Sequence, residues 1–291
     1  MNREKIYRWQ FIAPALLLYC VFFILPVLLN FYYSLTNWNA VRITGEVANF
    51  VGLDNYKRIF QNPELVGVIW RTIVFGLVTT VFKNIIGLGL ALFFNGELRT
   101  KNALRAVFFL PSMLSPLVIG LIFGTLLMTS GFVNQVLTAI GLESITKPWL
   151  TTGSTAFGAV SAVDIWRQTG FNMVIYLAGL QLIDSSYYEA ASIDGAGSAQ
   201  KLWYITLPRM IPALSINLLL NLSQGLKAFD IVFVLTNGGP AGTTELINTF
   251  VYKEFSRRLY GSSAAFGVIV FVITAFFGFV ALKLTSKNTD D

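Results

Sequence analysis

Five charged residues fall inside or beside long apolar stretches: Lys83, Asp164, Arg167, Lys227 and Asp230. A charge at the middle of a membrane helix costs about 2.5–3.5 kcal/mol on insertion scales, so such residues face a cavity or pair with one another. Asp164 and Arg167 stand three apart, as do Lys227 and Asp230. Each pair can close on one helix face. Lys83 has no partner in its own segment. The pairs read either as charge neutralisation near an interface or as the border of a polar path. Two polar stripes run through the same segments. Asp164, Arg167, Gln168 and Phe171 follow i, i+3, i+4, i+7, and Asn217, Asn221, Gln224 and Ala228 follow i, i+4, i+7, i+11. Each set shares one helix face. Amides are poor lipid-facing groups, so these stripes point into protein or water. They can serve as glue between helices. They can also hold a polyhydroxylated solute, with amides and a guanidinium on its hydroxyls and the Phe171 ring against its flat face.

Other chemistries lack their residues. There is no histidine, and Cys20 is the single cysteine, so no Ser/His/Asp set and no internal disulfide can form. No carboxylate pair stands out for glycoside hydrolysis. Residues 195–201, GAGSAQK, are rich in glycine and end in lysine, but a phosphate-binding loop needs Gly-Lys-Ser/Thr at its end. If ATP drives this chain, another subunit hydrolyses it. The net charge of +6 is scattered along the chain, which suits topogenic lysine and arginine and anionic lipid better than a nucleic acid.

The elements that position these residues are membrane spans. Charged residues make up 12% of the 291 residues and hydrophobic ones 55%, whereas soluble domains carry about 25% charged residues. The sequence therefore predicts an all-α polytopic membrane protein, counted in spans of about 20 residues. Trp9 to Val41 contains no charge, a run far longer than the roughly 7–15-residue core of a cleaved signal. Span 1 is expected at Phe11–Leu35, with Trp9 and Trp38 as interfacial anchors. Gly52-Leu53-Asp54 reads as a turn into a short amphipathic helix from Asn55. The remaining spans are expected at Thr72–Phe94, at Ala106–Met128 (interrupted by Pro111 and Pro116), at Thr155–Leu182, at Arg209–Leu235 and at Ala264–Leu284. Residues 130–154 and 236–262 read as loops. Arg3, Lys5 and Arg8 precede span 1, Arg99, Lys101 and Arg105 lie between spans 2 and 3, and Lys283 and Lys287 end the chain. These place both termini in the cytoplasm, although Arg42, Lys57, Arg58, Lys147, Lys253, Arg257 and Arg258 lie on the other side.

With that orientation, residues 183–208 are cytoplasmic. Their core is EAASIDGAGSAQKLWYITLP, 189–208. Glu189, Ala190 and Ala191 continue a helix, Gly195 and Gly197 permit a turn, and Pro208 stops or kinks what precedes it. Glu189-Ala190-Ala191, Gly195, Ile205 and Leu207-Pro208, at this spacing, resemble the EAA loop of ABC importer permeases. Asp194-Gly195-Ala196 and Ile205-Thr206-Leu207-Pro208 are similar to its carbohydrate-uptake branch. So are Val51-Gly52-Leu53-Asp54-Asn55-Tyr56, Phe108-Phe109-Leu110-Pro111, Ala178-Gly179-Leu180-Gln181 and Leu235-Thr236-Asn237-Gly238-Gly239-Pro240. The resemblance covers about residues 10–285.

It implies a type I ABC importer permease fold with six transmembrane helices. A cytoplasmic N-terminus (1–10) would precede a permease domain (11–285) carrying the cytoplasmic EAA loop (183–208), and a cytoplasmic tail (286–291) would end the chain. It implies a transport subunit and not an enzyme, in a bacterial cytoplasmic membrane. The partners would be a second, related permease, two cytoplasmic ATPases that bind ATP and magnesium, and an extracytoplasmic binding protein that delivers a sugar or oligosaccharide. This chain would hold no cofactor or metal. Glu189, Ala190, Ala191, Asp194, Gly195, Leu202 and Trp203 would couple to the ATPase. The sugar path of maltose-type members maps onto Arg167, Gln168 and Phe171 and onto Asn221, Gln224, Gly225 and Ala228, with Asn217 on the same stripe. Arg167 adds a charge to the maltose pattern, and Gly225 and Ala228 supply no amide, so an anionic or larger oligosaccharide is expected. Two other classes compete. A lipid-linked glycosyltransferase would need clustered carboxylates or metal ligands at an interface. A secondary transporter would show repeat symmetry and need no EAA loop.

Overall fold

A computed structural model describes residues 9–40, 48–96 and 99–286. The expectations for Arg3, Lys5, Arg8, Arg42 and Lys287, and for the side chain of Trp9, lie outside the described residues. Among those described, all regular structure is helical apart from an isolated antiparallel bridge between Thr36 and Phe50. The described residues form two compact units, one from those up to 66 together with 250–271, the other from those between 67 and 249 together with those from 272 on.

In the first unit, α1 (Trp9–Tyr19) and α2 (Leu25–Ser34) are joined by a π-helical turn, Cys20–Ile24, into one apolar helix. Pro14 and Pro26 sit within that span, as Pro is tolerated in membrane helices. α3 (Asp54–Gln61) follows the turn at Gly52, whose φ of +57° suits a residue without Cβ. It is fastened by Asn55, whose Nδ2 donates to the Ser34 and Thr36 carbonyls at 2.8 Å each. Trp38 lies between two rings, 4.4 Å from Tyr33 and 4.7 Å from Tyr260.

The second unit positions the site. α4 (Pro63–Asn95) starts nine residues before the expected Thr72. The third expected span is two helices, α5 (Lys101–Met113) and α6 (Pro116–Leu126), bent by 98°. Leu114 and Ser115 leave the helical region because Pro116 clashes with a helical predecessor and starts a new helix. The loop 130–154 contains α7 (Phe132–Ala139) and a 3₁₀ turn, Glu143–Ile145; Asn134 of α7 donates to the Lys147 carbonyl and accepts from Trp149 Nε1, just past that turn. α8 (Gly153–Gln181) is long enough to span a membrane. Three helices are both long and apolar enough to do so, or up to five if each bent pair is one span. α8 falls outside that set because its polar stripe lowers its apolarity, so the span count rests on a polar helix that proteins must cover.

α9 (Ser185–Ile193), α10 (Ser198–Lys201), a π turn (Leu202–Thr206) and α11 (Leu207–Arg209) follow. The chain then bends by 65° at Met210 into α12 (Ile211–Leu226). The fifth expected span is therefore not one helix. It stops at Leu226 and restarts as α13 (Asp230–Thr236). The expected loop 236–262 holds α14 (Ile247–Ser256), and α15 (Tyr260–Ser286) completes the chain.

Two apolar clusters lie along α4 and α8. One gathers Phe75, Ile119, Val160, Val163, Ile231, Val232, Leu235 and Leu246. The other gathers Ala91, Phe94, Met173, Tyr176, Leu177, Leu180 and Met210. Lys83 on α4 and Asp164 to Gln168 on α8 fall between them in sequence, so the polar residues occupy the seam between two cores.

Candidate functional site

Lys83 is not alone. Its Nζ lies 2.6 Å from Asp164 Oδ2, and Arg167 Nη2 lies 3.2 Å from Asp164 Oδ1. The Lys83 side chain is 1% exposed, that of Asp164 5% and that of Arg167 15%. The expected Asp164–Arg167 pair is thus one arm of a triad reaching from α4 to α8. Lys227 and Asp230 do not pair: no ion pair joins them among the described residues. They flank the break between α12 and α13, and both are exposed.

These groups line one cavity of about 300 Å³, with Gln168, Gln224, Ala228, Pro116, Ser223, Phe229 and Ile231 completing its wall. Gln168 Nε2 donates to Gln224 Oε1 at 3.3 Å across the two stripes. The break at Lys227–Phe229 is what turns the end of α12 and the start of α13 toward the same space. Of the expected path residues, Arg167, Gln168, Gln224 and Ala228 meet here. Asn217 and Asn221 do not. They are buried against α8, where Asn221 and Asn172 exchange amide hydrogen bonds and Asn217 Nδ2 donates to the Asn172 carbonyl at 3.3 Å. Asn172 was not singled out by the stripe reading, although it continues the Asp164, Gln168 spacing by one more turn. Gly225 is buried, and a Cβ there would come within 2.9 Å of Gly76 Cα. Phe171 is exposed and is not part of that wall. Pro116, Ser223, Phe229 and Ile231 carry no sequence signal of a shared wall, because helix pairing alone brings them together. No group of three or more acidic, cysteine or histidine side chains able to hold a metal occurs among the described residues.

The 183–209 stretch is a cross-braced helical hairpin. Asp184 caps α9, accepting from Ser186 N at 2.9 Å. That hydrogen bonding holds the Asp184 carboxyl below its usual range, so the cap is in place at neutral pH and fades only as the pH falls through that lowered value. α9 ends in a Schellman motif. Gly195 has φ of +78°, its N–H donates to Ser192 O at 3.2 Å, and Ala196 N–H donates to Ala191 O at 2.8 Å. α10 begins with Gly197 N–H donating to Gln200 Oε1 at 2.8 Å. The two arms are joined by Lys201 Nζ to Ser192 Oγ (2.6 Å), Tyr188 Oη with Thr206 Oγ1 (3.0 Å), and the Arg209 guanidinium 4.1 Å from the Tyr187 ring centre. Glu189 and Asp194 are exposed, Leu202 is half-buried, and Trp203 and Tyr204 are 67% and 80% exposed. The braced scaffold thus carries two large exposed aromatic side chains, Trp203 and Tyr204.

Residues 83–288 match the family described as "Binding-protein-dependent transport system inner membrane component". The chain belongs to this family. It is 33% identical over 285 residues, 98% of this chain and 97% of the relative, to the multiple sugar-binding transport system permease protein MsmF of Streptococcus mutans. It is 34% identical over 289 residues, 99% and 96% of the two chains, to the trehalose/maltose transport system permease protein MalF of Thermococcus litoralis. Among solved structures, a bacterial alginate ABC transporter in complex with alginate pentasaccharide-bound periplasmic protein has a chain that superposes with a TM-score of 0.82 at 22% identity, covering 97% of this chain and 94% of that one. That likeness establishes the ABC importer permease fold. A permease of this family is a transport component of the membrane, not an enzyme.

Proposed function

We propose that this chain is the transmembrane permease subunit of an ATP-driven importer for a sugar or oligosaccharide. The observation that carries this reading is the near full-length similarity to sugar permeases. It sits in the cytoplasmic membrane of a bacterium with both termini inside. A second, related permease completes the pathway, and an extracytoplasmic binding protein delivers the solute. Two ATPase subunits bind ATP and magnesium, and the 183–208 stretch docks in a groove on one of them. In that docking Glu189 makes the charged contact, Ala190 and Ala191 continue the helix beside it, Asp194 and Gly195 form the turn, and Leu202 and Trp203 pack into the ATPase. The exposure of Trp203 on a braced hairpin supports this. Closure of the ATPases tilts spans 3–5 and switches access to the central cavity, as expected for rigid elements moving about a fixed site. Arg167, Gln168, Gln224 and Ala228 face the solute there. Phe171, Asn217, Asn221 and Gly225 shape and hold the helices that border its path.

The test is the purified complex reconstituted in proteoliposomes. Glu189→Lys is expected to cut sugar-stimulated ATPase activity at least about tenfold, the scale of one lost interfacial charge contact, with normal membrane insertion. Gly195→Pro should act alike, since proline cannot adopt the +78° φ of this turn. A solubilised complex that never contains an ATPase, or full coupling in both variants, rules the reading out.

A further inference from the structure

The cavity carries an unbalanced positive charge. Its wall holds three cations, Lys83, Arg167 and Lys227, and two carboxylates, Asp164 and Asp230. Asp164 is shared between Lys83, at 2.6 Å, and Arg167, at 3.2 Å. The shorter contact belongs to Lys83, whose side chain is 1% exposed and so offers the cavity little surface. Lys83 therefore neutralises Asp164 from behind and leaves the charge of Arg167 largely uncompensated. Among the described residues, the buried Nε of Arg167 has no hydrogen-bond partner. A guanidinium offers five N–H donors, and only its Nη2 is engaged with the carboxylate.

Sugar hydroxyls could satisfy those donors but would not balance the charge. A partly desolvated cation in a low-dielectric wall is costly without a counter-charge. A carboxylate or sulfonate meets both needs, because its paired oxygens match the planar fork of arginine. Exposed Lys227 adds a further cation, countered on the same wall by exposed Asp230, so the wall as a whole keeps a net charge of one positive unit, and a net positive concave wall concentrates anions. The volume of about 300 Å³ stands at the lower end of the roughly 300–1,000 Å³ range of small-molecule sites, so it suits a solute end bearing one acidic group.

We propose that this cavity selects sugars that carry an acidic group, with Arg167 as the anion contact, Lys227 as an auxiliary cation and Lys83 as the residue that keeps Arg167 available. This rests on the sugar-permease reading above and narrows it. Proteoliposomes holding the complete importer and its binding protein are offered matched neutral and acidic sugars: galactose and galacturonate, cellobiose and cellobiouronate, galactotriose and trigalacturonate. The expected result is uptake of an acidic member in preference to its neutral twin. Arg167→Gln should lower that uptake roughly 10- to 100-fold, the scale of a lost charge-assisted hydrogen bond, and Arg167→Lys should restore part of it. Lys227→Gln should lower it less. Should Arg167→Gln fail to assemble, the preference of the unaltered importer and the Lys227→Gln result decide. Preference for the neutral twin in every pair, or an acidic-to-neutral ratio unmoved by Arg167→Gln, overturns the proposal and leaves the sugar-permease reading standing. Uptake of no sugar at all overturns both.

Discussion

Asp164→Asn is expected to be the most damaging single change in the polar seam. It leaves Lys83, 1% exposed, and Arg167 facing each other with no carboxylate between them. Removing one partner from a buried ionic cluster costs about 3–5 kcal/mol, because the remaining charge stays desolvated. For a chain of this size that corresponds to a fall in apparent Tm on the order of 10 °C. Lys83→Met should cost less, since Arg167 still neutralises Asp164. The double variant Lys83→Met/Asp164→Leu should recover much of the loss, as apolar replacement of a buried pair is often neutral or stabilising. Melting curves of the unaltered complex, Asp164→Leu, Lys83→Met and Lys83→Met/Asp164→Leu form a double-mutant cycle. Additive losses would show that Lys83 and Asp164 do not act as a pair.

The second large effect concerns the α5–α8 contact. A Cβ on Gly170 would lie 1.9 Å from the Phe108 carbonyl oxygen and 2.8 Å from Phe109 Cα. These are backbone atoms, so no side-chain rotation relieves the clash. Gly170→Ala must push α5 away from α8, and overpacking of this kind costs typically about 1–3 kcal/mol, occasionally more. Gly89 on α4 is the control: a Cβ there meets nothing within 4 Å. Gly89→Ala should be neutral or stabilise by up to about 1 kcal/mol through helix propensity. Thermal melting of the two variants in the same detergent checks the difference. Equal melting would remove the close approach of α5 and α8.

How much of this was legible in the sequence follows from the range of each interaction. The long apolar runs announce α4 and α15, and Pro111 and Pro116 mark the third span as interrupted, because these signals are local. The break at Lys227–Phe229 carries no proline or glycine at the break itself, so the fifth span reads as continuous. α14 lies in a stretch mixing Asn248, Lys253 and Glu254 with aromatics, too polar for a span and too short for a clear periodic signal. The 183–209 hairpin was the most readable feature, since its turn glycine and its helix-forming alanines are local devices; the Asp184 cap was not read. In the candidate site, the stripe spacing put Arg167, Gln168 and Gln224 on two segments, and the structure brings their side chains to one cavity. Spacing alone could not separate them from Asn217 and Asn221, because the same spacing serves a cavity wall and a helix seam. The partner of Lys83 was invisible, since only the pairing of α4 with α8 supplies it.

The contact between α6 and α13 binds two positions to a common history. Each of these short helices follows a break in its span, and a Cβ on Gly120 would come within 2.4 Å of Val234 Cγ1. A lineage that enlarges residue 120 must first make residue 234 smaller, and one that enlarges residue 234 can do so only while residue 120 remains glycine. Viable changes at these two sites should therefore arise in a fixed order, and a genetic suppressor of Gly120→Ala should be found at Val234 before it is found elsewhere.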